Sequence, residues 1–506
     1  MTHDYDVVVV GAGHNGLVTA AYLARAGRRT LLIEARAIVG GTAASESFGG
    51  GVVNVCNCDH LTFRTTPVAD ELDLAAHGLR YIDLEPAQVN RAWTGGPAWR
   101  SYHDVERTVD ELTVRYPAEV DGYRRFLAAA RPAAQLILEA ANEPPSMIGL
   151  TRLGLRRRLA GVPTVLRWSR RSAADVMRSY FRHDALLGPA MVTGPFVWGV
   201  SPEAEGSGLG ALGYAMRHVG RLGRPIGGSG ALTEALRDAF EAAGGDLVLG
   251  ATVTAIRSAE GRVRGVTLLD GTEIDAPVVV SACDPRRTFV EWLDHAPSAA
   301  ARMVRRWRDT QPEDGYESKI DAILSEAPRL RDHDHDLGAT LTIAPSLADM
   351  DGAAGLLSSG GVLERPAMLI NVPSVLDPTV APAGRHVFSL EVLLTPYRHD
   401  WSSSREPERW LDLVAELCEP GFQQSIVEHR VMTPDVYERD FHLPRGHATS
   451  FRGGPLAAFR TKESELTRYE TAVPGVYLTG AATFPGAGIW GASGRNCATV
   501  VLSHTD

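Results

Sequence analysis

The stretch Asp4–Gly41, DYDVVVVGAGHNGLVTAAYLARAGRRTLLIEARAIVGG, decides how the chain begins to fold. Four consecutive valines, Val7 to Val10, form the unbroken apolar run that a parallel strand buried on both faces requires. Gly11, Gly13 and Gly16 follow in a G-x-G-x-x-G spacing, and LVTAAYLARAG then carries the periodicity of a helix that stops at Gly27. A second apolar strand, TLLIE, ends on Glu34. Each residue of this unit has a mechanical task. Gly11 permits the tight turn, Gly13 allows backbone to approach a pyrophosphate, and Gly16 lets helix and strand pack closely. The free N–H groups and positive dipole end of the helix suit phosphate. The carboxylate of Glu34 is placed to accept hydrogen bonds from a ribose diol. The expected fold class is α/β, with a Rossmann-type dinucleotide-binding domain.

A bare glycine pattern is weak, and the chain holds a second one. GLGALG, Gly208–Gly213, follows SPEAEGS rather than a strand, and no strand ending in an acid comes after it. It reads as a small-residue loop and a helix start. Gly40 and Gly41, six and seven residues beyond Glu34 in VGGTA, add information of another kind. A glycine pair there is typical of domains that bind FAD, whose longer reach from pyrophosphate to flavin needs another close backbone approach. No second strand-linked fingerprint is present to hold a nicotinamide cofactor. The expected cofactor is therefore FAD, held by Gly11, Gly13, His14, Asn15 and Gly16, by Glu34 and Ala35, and by Gly40, Gly41 and Thr42.

Composition narrows the classes. The 506 residues are 44% hydrophobic and 22% charged, as in an ordinary globular protein of two or more domains. A net charge of −10 argues against nucleic acid as a partner. Of 51 basic residues only Lys319 and Lys462 are lysines, so any lysine-based chemistry has two candidates. Five scattered cysteines, Cys56, Cys58, Cys283, Cys418 and Cys497, make no disulfide framework, and the C-x-C spacing of VCNCDH is not a redox C-x-x-C pair. MTHDYD is acidic and leads straight into the valine run, so no cationic signal peptide is expected, and the location is expected to be cytoplasmic. No apolar run approaches a membrane span.

Beyond the fingerprint, Ala87 to about Gly223 reads as mostly helical. RPIGGSGALTEALRDAFEAAGG is a glycine turn followed by an amphipathic helix, and the stretch from Asp246 to Ala282 alternates as a β-meander. TRLGLRRRLAGVPTVLRWSRR, Thr151–Arg171, interleaves seven arginines with Leu, Val and Trp. It reads as a helix pair with solvated arginines, broken at Gly161 and Pro163, which leaves peripheral membrane contact open. RDHDHD, residues 331 to 336, reads as a solvated loop, and no metal is expected.

Five segments in a fixed order resemble the phytoene desaturase-like branch of the FAD-dependent amine oxidase superfamily: GAGHNGLVTAAYLARAG, HVGRLGRPIGGSGALTEAL, SACDP, LINVPSVLDPTVAPAGRH and YLTGAATFPGAGIWGASGRNCA. The resemblance implies a discontinuous architecture. Residues 1–80, 225–300 and 460–506 would make the FAD-binding domain with its meander, and 81–224 and 301–459 an interleaved α+β substrate domain of mixed sheet and helices. It further implies that the backbone of Val253 meets the adenine ring. Gly227 to Ser229 lie close to the flavin, Gly480 and Ala481 approach the ribityl chain, and Gly488, Ile489 and Trp490 lie beside the ring system. Many relatives outside this branch carry an acid after that glycine; here Ala481 and Ala482 stand there, so the tail is expected to act through main-chain groups.

The implied reaction is hydride removal from a hydrophobic small molecule, with dioxygen or a quinone as electron acceptor. A helix starting around Gly491–Arg495 would steady negative charge on the reduced ring. His218 and His60 are the candidate catalytic residues, with His447 a third histidine in a segment expected to face the pocket. Two alternatives stay open. One is an amine or amino-acid oxidase, many of which place a lysine near the flavin; the other is a non-catalytic flavoprotein. The oligomeric state is not read from the sequence.

Overall fold

The computed structural model describes residues 4–56, 59–331, 333–451 and 462–505. Cys58 and the Asp of residue 332, as well as residues 460 and 461 of the expected tail segment, lie outside them. Val7–Val10 form β1 at the centre of a five-stranded sheet. The order is β19 (Val476–Leu478), β13 (Val278–Ser281), β1, β2 (Thr30–Ile33) and β9 (Asp246–Val248), and every pairing is parallel. The valines alternate between two cores, as strand geometry dictates. Val7 and Val9 pack with Leu17 and Val18 of the helix His14–Arg25 and with Cys497 and Val501 of the C-terminal helix Ala492–Thr505. Val8 and Val10 pack with Val253, Ile256 and Val266 of the meander β10 (Val253–Ala259), β11 (Arg262–Leu268) and β12 (Glu273–Asp275). Full burial of each valine contributes about 1.5–3 kcal/mol, an upper figure.

The helix His14–Arg25 closes at Gly27, whose φ of +83° suits a residue without Cβ. The N–H of Arg28 returns to the Leu23 carbonyl at 3.1 Å and that of Gly27 to Ala24 at 2.8 Å.

A seven-stranded sheet is built from residues distant in sequence. Its order is β18 (Ile426–Met432), β14 (Tyr316–Leu324), β17 (His386–Thr395), β16 (Met368–Asn371), β15 (Leu341–Ala344), β6 (Gln88–Ala92) and β7 (Trp99–Ser101). Two small ribbons complete the strands: β3 (Ser45–Phe48) with β4 (Gly51–Asn54), and β5 (Tyr81–Asp83) with β8 (Gly223–Pro225). Strands β6 and β7 fall within the stretch expected to be mostly helical. They are short, five and three residues, and the alternation of Gln88, Val89 and Asn90 ends at Arg91, too brief a pattern to mark a strand. GLGALG lies in a short 3-10 segment leading into the helix Gly213–Arg217, in line with the small-residue reading. The RDHDHD stretch differs from expectation: the imidazoles of His333 and His335 are buried, while Asp334 and Asp336 face solvent.

Candidate functional site

Three loops converge at the carboxyl edge of the parallel sheet, where such sheets bind ligands. Gly11 has φ +97°, and a Cβ on it would lie 2.9 Å from Cys283 Sγ in the loop after β13. A Cβ on Gly16 would lie 2.0 Å from the Gly11 carbonyl oxygen, so the helix can pack on the turn only because residue 16 is glycine. Gly13, by contrast, has nothing within 4 Å of its missing Cβ. It is the N-cap of the fingerprint helix, and no side chain caps that end. Gly40 donates to the Ala12 carbonyl at 2.8 Å, and a Cβ on Gly41 would stand 3.3 Å from Gly13 Cα. The second glycine pair is thus folded onto the first turn, with Thr42 in the 3-10 turn that follows.

Glu34 is 8% exposed, and each of its oxygens already accepts one main-chain bond, from Ala12 N–H at 2.7 Å and from Arg36 N–H at 2.9 Å. Each oxygen keeps a lone pair for a further donor such as a ribose hydroxyl. Ala35 lies between these two anchor points. Arg36, which the sequence reading passed over, lies across the same region. Its Nη2 meets Glu46 at 2.5 Å, its guanidinium stands 4.1 Å over Phe441, and its buried Nη1 has no partner. Open space over Gly13, an uncapped helix start and an unpaired guanidinium nitrogen fit a dinucleotide pyrophosphate. Val253 opens β10 in the core that covers the other side of the sheet.

The tail returns to the same edge. Gly480 has φ +107° and donates to Ser493 Oγ at 3.0 Å, while the Ala481 carbonyl accepts from Phe451 at 2.9 Å. Gly488 has φ +98°, and its backbone meets the ring of His14, whose imidazole burial pulls down to about 4. Asn15, beside it, bonds to His14 Nε2 at 3.0 Å. Thr62 donates to the Ile489 carbonyl at 2.6 Å. Trp490 donates to the Ala487 carbonyl at 3.0 Å and packs on Leu138, Ala141 and Ala492. Gly494 has a different use: a Cβ there would lie 2.3 Å from the Asn15 carbonyl oxygen, and its own carbonyl accepts from Thr19 at 3.0 Å. It lets the C-terminal helix cross the fingerprint helix.

Both candidate histidines are fully engaged. His60 Nδ1 pairs with Tyr81 at 2.9 Å and Nε2 with Ser229 Oγ at 2.8 Å. His218 Nδ1 donates to the His103 carbonyl at 3.0 Å, and Nε2 accepts from Tyr123 at 2.7 Å. Burial pulls the first down to about 3 and the second to about 4. Neither ring has a free nitrogen with which to take a substrate proton, so the geometry does not support either as a general base. His60 instead holds the glycine turn, where Gly227 and Gly228 have positive φ and Ser229 N–H donates to Asn54 Oδ1 at 2.7 Å. His447 is buried, with Nε2 2.9 Å from Glu313.

The seven-stranded sheet has two unlike faces. One carries Ile320, Leu390, Val392, Ile370, Leu341 and Val89, packed under Trp410 and Val414 of the helix Glu406–Leu417. The other carries, in register, Lys319, Glu391, Leu369, Thr342 and Asn90, and beside them Asp321, Ser389, Asn371 and Gln88. These polar side chains are buried. Lys319 donates to the Asn54 carbonyl at 2.8 Å and pairs with Asp321, which Arg430 also holds at 3.0 Å. Thr340 donates to Asp59 at 2.7 Å and accepts from Arg224 at 3.1 Å. Burial raises the Glu317 and Glu391 carboxyls, the latter also through the neighbouring Glu317 charge. The side-chain amide oxygens of Gln88, Asn90 and Asn371 are buried without hydrogen-bond partners among the described residues. A buried polar face costs stability unless it is satisfied, and here the ion pairs and hydrogen bonds of Lys319, Asp321 and Thr340 satisfy part of it. The sequence concealed it because its residues come from five separate strands.

A parallel sheet with a glycine fingerprint, an acid after its second strand and a tail folded back over the same edge define a dinucleotide-binding flavoprotein. The pattern of the family described as flavin containing amine oxidoreductase matches residues 16–502, and the chain belongs to that family. It is an FAD-dependent oxidoreductase. The chain is 28% identical to mouse pyridine nucleotide-disulfide oxidoreductase domain-containing protein 2, over 99% of this chain and 93% of that protein. It is 27% identical to the lycopene-forming phytoene desaturase of Pseudescherichia vulneris, over 99% of each. Cyclohexylamine oxidase from Brevibacterium oxydans shares the fold, with a TM-score of 0.61 at 16% identity and 99% coverage of both chains.

Proposed function

We propose that the protein dehydrogenates a small molecule with an apolar body, with dioxygen or a quinone as the terminal acceptor. The observation that carries this reading is the buried polar face of the seven-stranded sheet. Through Lys319 and Thr340 it meets Asn54 and Asp59, the segment that holds Ser229 and the glycine turn. The apolar body is suggested by the relative named phytoene desaturase. FAD, when bound, supplies the hydride acceptor. We assign its binding to the fingerprint residues Gly11 to Gly16, to Glu34 with Arg36, to Gly40–Thr42, to Val253, and to main-chain groups of Gly480, Ala481 and Gly488–Trp490. The N–H groups at the start of Ala492–Thr505 oppose negative charge, an effect of about 0.3–2 kcal/mol. Glu391, with its raised carboxyl, is the group we assign to proton transfer; Glu391→Gln should remove the acid limb of the kcat/KM profile.

The polypeptide divides, in this reading, into an FAD-binding part (1–80, 225–300, 460–506) and a substrate part (81–224, 301–459), with the β5–β8 ribbon at their border. No helix among the described residues is long and apolar enough to cross a membrane. We infer a cytoplasmic location, in keeping with the thiols of Cys283, Cys418 and Cys497, which form no disulfide among the described residues. Peripheral membrane contact would run through the arginine-rich helices Met147–Arg156 and Val162–Trp168.

A second reading, an amine oxidase using dioxygen, is favoured by one observation: Lys319 is buried on the polar sheet face against Asn54. One experiment separates the two. The purified protein should show a flavin spectrum, and under anaerobic conditions substrates with an apolar body should bleach it. Bleaching by simple amines alone, lost in Lys319→Met, would establish the second reading instead.

A further inference from the structure

Arg217 ends the short helix Gly213–Arg217 and is 8% exposed. Its surroundings do not balance its charge. Nη1 reaches the Gly213 carbonyl only at 3.5 Å, Nε is buried without a partner, and no carboxylate among the described residues lies within ion-pair distance. Arg224, the other arginine buried to this degree, is in contrast paired with Asp59 at 2.6 Å and bonded to the Gly338 carbonyl at 2.6 Å. Tyrosine hydroxyls near Arg217 cannot act as counter-ions. Tyr123 is spent on His218 at 2.7 Å and Tyr214 on the Leu186 carbonyl at 2.8 Å, and burial pushes both phenols up, so they stay neutral. Asp59 is close enough for its charge to reach Arg217, but its oxygens serve Arg224 and Thr340.

Arg217 is held at its backbone, and its guanidinium stands over an aromatic ring. His103 Nδ1 meets the Arg217 carbonyl at 3.0 Å, which ties the backbone. The Tyr214 ring stands 5.9 Å below the guanidinium and packs edge-on to Trp99 at 5.5 Å. Trp99 is in register with Asn90 on the polar face of the sheet. Arg217 therefore sits one aromatic layer above the face assigned to substrate. An unpaired guanidinium in such a place is costly alone and becomes favourable when an anion enters.

We propose that Arg217 anchors a carboxylate carried by the substrate, which is then an amphiphile: an apolar body with one anionic end. This deepens the dehydrogenase reading above and rests on it for the identity of the ligand as substrate. The planar fork of arginine matches a carboxylate through two parallel hydrogen bonds.

Benzoate is the probe, with benzamide as its uncharged counterpart, and Arg217→Met and Arg217→Lys are the variants. Holoenzyme should show a saturable flavin spectral change and a raised thermal midpoint with benzoate but not with benzamide. Arg217→Met should lose benzoate affinity by about tenfold or more, and Arg217→Lys should retain part of it. Without ligand, Arg217→Met should unfold at an equal or higher temperature than wild type, because an unbalanced buried charge is gone; a structural arginine would give the opposite shift. Equal responses to benzoate and benzamide, or full benzoate binding by Arg217→Met, would overturn the proposal. Protein that purifies without flavin would count against the dehydrogenase reading, and the thermal response to benzoate would still decide the role of Arg217.

Discussion

His60 and His218 are buried and neutral, and that sets how the protein meets acid. In the unfolded chain each titrates near the ordinary value of about 6.5; folded, they are held at about 3 and about 4. Above pH 6.5 both states are neutral and the contribution to stability is complete. As pH falls below that, the unfolded chain binds protons that the folded protein refuses, and stability drops by about 1.4 kcal/mol per pH unit for each histidine. Urea unfolding at pH 7, 6 and 5 should show this decline, and His60→Gln, although less stable at pH 7, should decline less steeply. Wild-type stability that is flat from pH 7 to 5 would refute the assignment. The sequence singled out both histidines as candidate catalytic residues. Their type and neighbourhood suggested proton transfer, while their role as clamps depends on Ser229 and Tyr123, partners 169 and 95 residues away. Arg36 escaped notice because only the fold shows that one nitrogen stays unpaired.

Elements whose periodicity is local were legible from the sequence: β1, the fingerprint helix and the glycine turn stand where the pattern put them. Of the stretch 246–282 expected as a meander, only β10–β12 form one; β9 and β13 at its ends join the parallel sheet through distant partners that local alternation does not reveal. Strands β6 and β7 were not: β7 pairs only with β6, and β6 is fixed in the sheet by β15, some 250 residues on, with its polar residues buried rather than facing solvent. The helices Met147–Arg156 and Val162–Trp168 make a separate case. They expose Met147, Ile148, Leu155 and Leu166, the turn between them exposes Leu159, and no acidic residue falls between Ser146 and Ala174. Arg156 and Arg157 are tied to Glu139, but Arg152, Arg158 and Arg167 carry no ion pair among the described residues. This combination suits the surface of an anionic bilayer. Vesicles of phosphatidylglycerol and phosphatidylcholine should sediment the protein at low salt, and pure phosphatidylcholine should not. Replacing Ile148 and Leu155 by Ser should lower the bound fraction several-fold; unchanged sedimentation would exclude these helices as the contact.

The whole molecule is held together by returns of the chain. The parallel sheet takes β1, β2, β9, β13 and β19 from residues 7 to 478, and the C-terminal helix then crosses the fingerprint helix at Gly494. Removing residues 476–506 would strip a strand from the sheet and the cover from Val7, Val9 and Val18. Such a protein should lose FAD binding completely and accumulate in the insoluble fraction; a soluble, yellow truncation would show that the tail is dispensable.

The same topology gives the chain a timetable. All strands of the seven-stranded sheet have been made once Met432 is synthesised, but β1 cannot gain its full sheet until Val476–Leu478 leave the ribosome. At about 5–20 residues per second, β13, complete at Ser281, waits roughly 10–40 s for its outer neighbour β19. Until then its apolar edge is uncovered, and the face of the fingerprint helix that Gly494 crosses stays open until Ala492–Thr505 follows.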